Sequence, residues 1–269
     1  MMLWRRLKRE FFAIEREAEL ERARYGEQDW RPLGALLTCA LVLLAIHYLK
    51  FASTFQTTMQ WLMSEAEYRQ LLQHRYFGLF GELWWGAWHV LGYVLVPCLV
   101  IRYGFKERIR DYGLAWNRAS DYLPWCILIA GLVIGFAYLA SHRSDFLQHY
   151  PFYRMAQRSL FDLLAWEGIY LSQFVFLEFF FRGFLLKACH RRFGATALFV
   201  MVVPYVMIHF PKPWLEASGA LLFGLVLGII ALRSHSIWGG VLVHTSVALS
   251  MDIMALVRGG RWPLQWWPQ

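Results

Sequence analysis

Residues 168–186 read GIYLSQFVFLEFFFRGFLL, an almost unbroken apolar run that contains one acid, Glu178, and one base, Arg182. A bilayer core about 30 Å thick asks for about 20 apolar residues per helical crossing, and this stretch meets that length. Lipid offers no hydrogen-bond partner to a bare backbone, so the run reads as an α-helix. Each ionised side chain placed in such a helix costs roughly 2.5–3.5 kcal/mol on insertion scales, so the two charges need a reason. They stand four residues apart, one turn along the same face, where they can pair.

Working outward, residues 33–49, 83–101 and 122–141 are apolar without a single Asp, Glu, Lys or Arg. Residues 193–211 end near His209, residues 217–232 lie between Glu216 and Arg233, and residues 236–257 are apolar except for His244 and Asp252. The pattern predicts an all-α, polytopic transmembrane bundle of about seven (six to eight) spans. The semi-polar region 52–80 reads as an interfacial or re-entrant piece. Gly224 and Gly228, with Gly219 nearby, form a small-xxx-small pair that lets helices approach closely in lipid, and Gly239 and Gly240 read likewise as packing positions.

Basic residues set the orientation. The 102–121 linker holds five Lys or Arg and 187–194 holds three, whereas 50–82 and 142–167 are balanced by acids. The positive-inside rule puts the first group and the amino terminus in the cytoplasm and, with seven spans, the carboxyl terminus outside. Arg258 and Arg261 pull mildly the other way. The expected location is the cell (inner) membrane, as a multi-pass protein. Three regions are expected: 1–31, a charged cytoplasmic segment; 32–121, peripheral transmembrane helices and the basic linker; 122–269, the core bundle. In the first, Leu3, Trp4, Leu7, Phe11, Phe12 and Ile14 recur at roughly helical spacing, which predicts an amphipathic helix on the membrane. No apolar signal-peptide region occurs there.

Composition agrees with a membrane reading: 58% of residues are hydrophobic, 18% aromatic and only 17% charged, against about 25% charged in soluble domains. Disordered, collagen-like and disulfide-stapled classes are excluded. The net charge of +8 comes from residues flanking apolar runs, so it is read as topology signal and contact with membrane lipids rather than nucleic-acid binding. Cys39, Cys98, Cys126 and Cys189 are scattered, with no CxxC pair, and read as small buried apolar residues.

The ionisable residues inside spans are Glu178, Arg182, His209, His244 and Asp252, with His47 and His89 as weaker candidates. At about 1.5 Å per residue, Glu178, His244 and His209 lie at depths that permit one cluster if the helices tilt or Pro204 kinks its helix. Two imidazoles and a carboxylate can bind a divalent metal such as zinc, or can orient a water as general base and oxyanion donor.

Three motifs carry a resemblance. LEFFFRGFLL at 177–186 looks like the EExxxR signature of the CPBP family (CAAX proteases and bacteriocin-processing enzymes, also called ABI), YVMIH at 205–209 is similar to its FxxxH, and 216–248 resembles its Gly-rich helix, turn and HxxxN helix. Order and spacing agree over about 165–255, and 102–117 has the look of the segment before the family's core. The resemblance implies an intramembrane endopeptidase acting on a membrane-associated protein or peptide near the membrane surface, with Glu178, His209 and His244 catalytic and Arg182 fixing the carboxylate. Two positions depart from the pattern: the first Glu falls on Leu177 and the Asn on Ala248, while Tyr205 replaces Phe. Gln173 cannot act as a base, so Glu178 is expected to take over water activation, and Asp252, two turns past His244, is expected within reach as support. The alternative is an inert relative that binds or scaffolds membrane partners, for which Leu177 and Ala248 speak. A transporter is the third reading, and the halves show none of the similarity that inverted repeats would leave.

Overall fold

The computed structural model describes residues 2–26, 29–116 and 118–268. Among these residues all regular structure is helical. The chain-order helices are α1 (Met2–Tyr25), α2 (Arg31–Leu49), α3 (Ala52–Leu62), α4 (Glu65–Leu72), α5 (Phe77–Gly104), α6 (Ala119–Ala140), α7 (Ser144–His149), α8 (Leu160–Glu178), α9 (Leu186–Phe193), α10 (Ala197–Met207), α11 (Trp214–Ser234) and α12 (Trp238–Arg258). Six helical runs are long and apolar enough to cross a membrane, the longest being Leu160–Met207 with 48 residues. That run turns back at Gly194, whose φ of +54° ends α9, and α10 then packs against α9. Its two legs account for the seventh crossing expected from sequence. The structure is thus a multi-pass membrane bundle.

The lipid-facing surface is explicit on α2, where Leu33, Leu37, Leu41 and Leu44 are exposed along one face. A stripe of this kind would be untenable in water and is ordinary against fatty chains. The Leu160–Met207 run is the most buried of the six and forms the centre of the bundle. Between α8 and α9, Phe179–Leu185 forms wide turns with i→i+5 bonding, and all seven of its side chains are buried. Wide turns inside α-helices concentrate at functional sites. The expected glycine packing is also present: a Cβ on Gly224 or Gly228 would come within 2.8 Å of Val202 or 2.9 Å of Leu198, so these glycines seat α11 on α10.

Region 52–80 does not cross. At 11 and 8 residues, α3 and α4 reach only about 16 and 12 Å, and Ser64 with Glu67 closes a capping box that starts α4 as a helix separate from α3. Together with residues 141–159 and 208–216 they lie at one end of the bundle, tied by Arg158 to the Arg75 carbonyl at 2.8 Å and by Tyr150 to Glu216. The carboxyl-terminal turn joins this end, where Arg261 donates to the Leu147 carbonyl at 3.2 Å.

The opposite end is basic and polar. Arg191 pairs with Glu107 at 2.7 Å, and Arg233 holds Glu10 at 2.9 Å as well as Glu17. The Arg233 pairs clasp α1, which packs across α9 and α11 with Ile14 and Ala18 fully buried, while Phe12 and Leu20 face outward. The helix is amphipathic as expected, but its apolar stripe is divided between the bundle and the surroundings; the side chains of Leu3, Trp4 and Leu7 lie outside the described residues. Glu15 accepts the Ala195 N–H at 2.9 Å, and that bond, followed by Arg22, holds its carboxyl below the usual range despite the cost of burial. None of the four cysteines is in a disulfide, and three are buried.

Candidate functional site

Three elements converge: the end of α8 with its wide turns, α10, and α12. Glu178 closes α8 and is fully buried. Its carboxylate lies against the backbone of α12 at Gly240, where a Cβ would stand only 2.1 Å from Oε2. Only glycine leaves room for the acid. Oε1 is 3.0 Å from Arg182 Nη1 and 2.8 Å from His244 Nδ1. The angles fall outside directed hydrogen-bond geometry, so these contacts act through charge and leave both Glu178 and Arg182 short of hydrogen bonds. An acid buried this way is sustained by its opposite charge, since removing one partner of a buried pair leaves an uncompensated ion.

Arg182 lies over the Tyr205 ring, its guanidinium carbon 4.1 Å from the centroid. Tyr205 in turn places its hydroxyl 2.9 Å from His244 Nε2. The His244 ring is stacked on Phe174 at 5.6 Å with 5° between planes. Its Nδ1 faces two acceptors, Glu178 Oε1 and the Gly240 carbonyl at 3.2 Å. Nδ1 therefore carries the proton, and Nε2 keeps a lone pair that accepts from the Tyr205 O–H. His209 repeats this logic: Nδ1–H donates to the Tyr205 carbonyl at 2.8 Å, which leaves its Nε2 unprotonated.

His244, Tyr205 and His209 line a cavity of about 2260 Å³. Leu177, Gln173 and Ala248 share its wall, and most of the surface is apolar. Glu178 is behind His244 and does not line the cavity. The expected convergence of Glu178, Arg182, Tyr205, His209 and His244 is thus present, with a different order of depth: the imidazole meets the cavity and the carboxylate backs it. The wide turns that carry Arg182 help set this order: within them Arg182 faces Glu178, while Leu177 just before them lines the cavity.

Asp252 does not join. It is fully buried and accepts the Trp166 Nε1–H at 2.8 Å, beside Glu167, so its supporting role toward His244 is not what the structure places there. Two turns along α12 carry it to the face packed on the first half of α8. His89 and His47 also lie away from the cluster, His89 on the Trp85 carbonyl at 2.7 Å and His47 against Tyr48. Phe174 is the site residue that sequence reading passed over, and Gly240 is one it assigned to packing alone. The signal for Gly240 was its spacing, four residues before His244, which puts it directly under the imidazole.

Among the described residues no three of His, Cys, Asp and Glu gather so as to hold a metal. Arg182 occupies the side of the carboxylate a cation would need, and Glu178 does not line the cavity that His209 and His244 share. The donor set does not fit an ion shared by Glu178, His209 and His244.

Residues 158–250 match the family model described as Type II CAAX prenyl endopeptidase Rce1-like. The matched segment runs from the residues before α8 into α12 and contains Glu178, Arg182, Tyr205, His209 and His244, so the resemblance read from the three motifs holds on the residues that carried it. No curated protein and no solved structure matches the chain.

Proposed function

Taking residues 158–250 as an Rce1-like segment in a multi-pass membrane protein, we propose that the chain is an intramembrane endopeptidase of the cell (inner) membrane. It hydrolyses a peptide bond of a membrane-associated protein or peptide, with His244 as the base and Glu178 as the carboxylate that positions it. The observation that carries this reading is the placement of His244: Nδ1 lies 3.2 Å from the Gly240 carbonyl and 2.8 Å from Glu178 Oε1, Nε2 lies 2.9 Å from the Tyr205 hydroxyl, and the residue lines the cavity. This is the orienting logic of an acid–imidazole pair in hydrolases, in which the carboxylate fixes the ring and stabilises the imidazolium.

A water between His244 and His209 gives its proton to His244 Nε2 as its oxygen bonds the scissile carbonyl carbon. The carbonyl electrons move onto oxygen, and the Tyr205 O–H, released from His244, donates to that oxyanion. The C–N bond then breaks, the imidazolium returns its proton to the departing amine, and a carboxylic acid and an amine leave. His209, whose Nε2 is an acceptor, holds the second hydrogen of the water. No step requires a metal, and an apolar cavity strengthens each of these polar contacts.

The test is cleavage of a membrane-peptide library by the purified protein in liposomes, read by mass spectrometry. His244→Ala and Glu178→Gln are expected to lower cleavage by about 10²–10⁴-fold while the protein stays folded. Unchanged cleavage in both would remove the assignment. Leu177 and Ala248 on the cavity wall favour a second reading, in which the same cavity binds a membrane peptide without cutting it. Wild-type binding with no product, and biological function intact in the Glu178, His209 and His244 variants, would establish that reading instead.

A further inference from the structure

Three aromatic residues stand one turn apart along α8: Trp166, Tyr170 and Phe174. Trp166 and Tyr170 are stacked at 4.9 Å with 12° between planes, and Tyr170 meets Phe174 edge-on at 5.1 Å. The series ends on the His244 ring, 5.6 Å from Phe174 and 5° from parallel to it. All these separations lie in the range where aromatic pairs attract beyond the area they bury. The other end of the series is tied down as well. Trp166 is 1% exposed, and its Nε1–H donates to Asp252 at 2.8 Å. Asp252 and His244 lie two turns apart on α12, as Trp166 and Phe174 do on α8.

The two helices are thus joined at both ends of a two-turn frame, by a hydrogen bond at Trp166–Asp252 and by a ring stack at Phe174–His244. Ala248, midway between Asp252 and His244, is buried in the same apolar cluster as Trp166 and Tyr170. What the frame fixes is rotation of the imidazole. Glu178 and the Gly240 carbonyl lie at Nδ1 and the Tyr205 hydroxyl at Nε2. Ring nitrogens donate and accept in the plane of the ring, so these contacts last only while that plane is kept. The outer torsion of a histidine side chain is broad and has no strong preference of its own. A flat neighbour parallel to the imidazole opposes that rotation, and Phe174 is placed to do so.

Resting on the endopeptidase reading only for its effect on turnover, we propose that Phe174 is a positioning residue for His244, and that Tyr170 and Trp166, anchored on Asp252, hold Phe174 in place. Asp252 then supports His244 through the three rings of α8 rather than by reaching it along α12. A leucine at 174 would fill much of the space of the ring but present no flat face. The imidazole could then turn, and Nδ1 would no longer always face Glu178.

The experiment uses the full-length protein in liposomes, with histidine isotope-labelled at its ring nitrogens and the His244 signals identified by their loss in His244→Ala. Solid-state NMR reads which ring nitrogen carries the proton, and cleavage of the peptide library is followed in the same samples. The wild type is expected to show one tautomer, protonated at Nδ1. Phe174→Leu should show both tautomers and lower kcat about tenfold, the upper end of what one aromatic pair contributes, with KM unchanged. Phe174→Tyr, which keeps the ring, should restore the single tautomer. Trp166→Phe, which removes the bond to Asp252 and keeps a ring, should show a smaller share of the second tautomer. Leu256→Ala opens a void in the same cluster without removing a ring, so it should lower the unfolding temperature and leave the tautomer alone. Both tautomers in the wild type, one tautomer in Phe174→Leu, or the same mixture in Leu256→Ala overturns the proposal, and a wild-type signal in Trp166→Phe overturns the part given to Asp252. The expected tautomers with no product in any sample leave the proposal standing and overturn the endopeptidase reading, so the two fail separately.

Discussion

At the scale of single residues, Gly240 decides whether Glu178 and His244 can meet. Its missing side chain is the space the carboxylate fills, and its carbonyl is the second acceptor for His244 Nδ1–H. Gly240→Ala would place a methyl 2.1 Å from Oε2, which forces the acid to move away from both Arg182 and His244. Displacements of this kind in a catalytic array cost about 10²-fold in rate. Cleavage by Gly240→Ala is expected to fall by about that factor with the membrane-inserted fold retained, measured by turnover beside a thermal-unfolding curve. The neighbouring Gly239 faces Cys126 and touches neither Glu178 nor His244, so a loss confined to Gly240→Ala separates the site from general packing. Sequence reading located both glycines but assigned them the same packing role, because what lies across from a glycine is a tertiary fact.

At the scale of elements, α1 is held to the bundle by charge rather than by a large apolar face. Glu15 is central: it accepts the Ala195 N–H, pairs with Arg22 at 2.9 Å, and fills the space a Cβ on Gly194 would need. Those partners depress the Glu15 pKa, so its contribution to docking is fully present above the ordinary glutamate range, about 4.3, and fades as pH falls through the depressed folded value. Limited proteolysis of α1 should accordingly rise below that range. Glu15→Gln should show the raised susceptibility already at neutral pH. An unchanged digestion pattern across pH and in the variant would remove Glu15 from that role. The long apolar runs made α2, α5, α6, α11 and α12 readable beforehand, and the basic stretch 187–194 already separated the two legs that meet at the Gly194 hairpin, whereas the wide turns at 179–185 left no mark in hydropathy. Both are answers to local packing: one to a chain reversal at the polar face, the other to side chains buried on every side.

For the whole molecule, the arrangement separates two polar compartments. One is the basic face with α1 and its ion pairs; the other is the cavity that opens at the opposite end, and the Arg182–Glu178–His244 contacts stand between them. Since the donors do not fit a shared ion, stripping metals with a chelator is expected to leave cleavage in liposomes unchanged, followed by elemental analysis of the treated protein. Loss of activity that returns with zinc would overturn that expectation. From its sequence alone this protein had to be a bundle of membrane-crossing helices, because lipid leaves a polar backbone no partner but itself and because the few buried charges had to face inward. Heights along the helices were also accessible, since rise per residue is constant. What only the tertiary structure decided was azimuth and depth order. Rotation about each axis is set by neighbouring helices, and it turned His244 to the cavity, Glu178 behind it and Asp252 to Trp166.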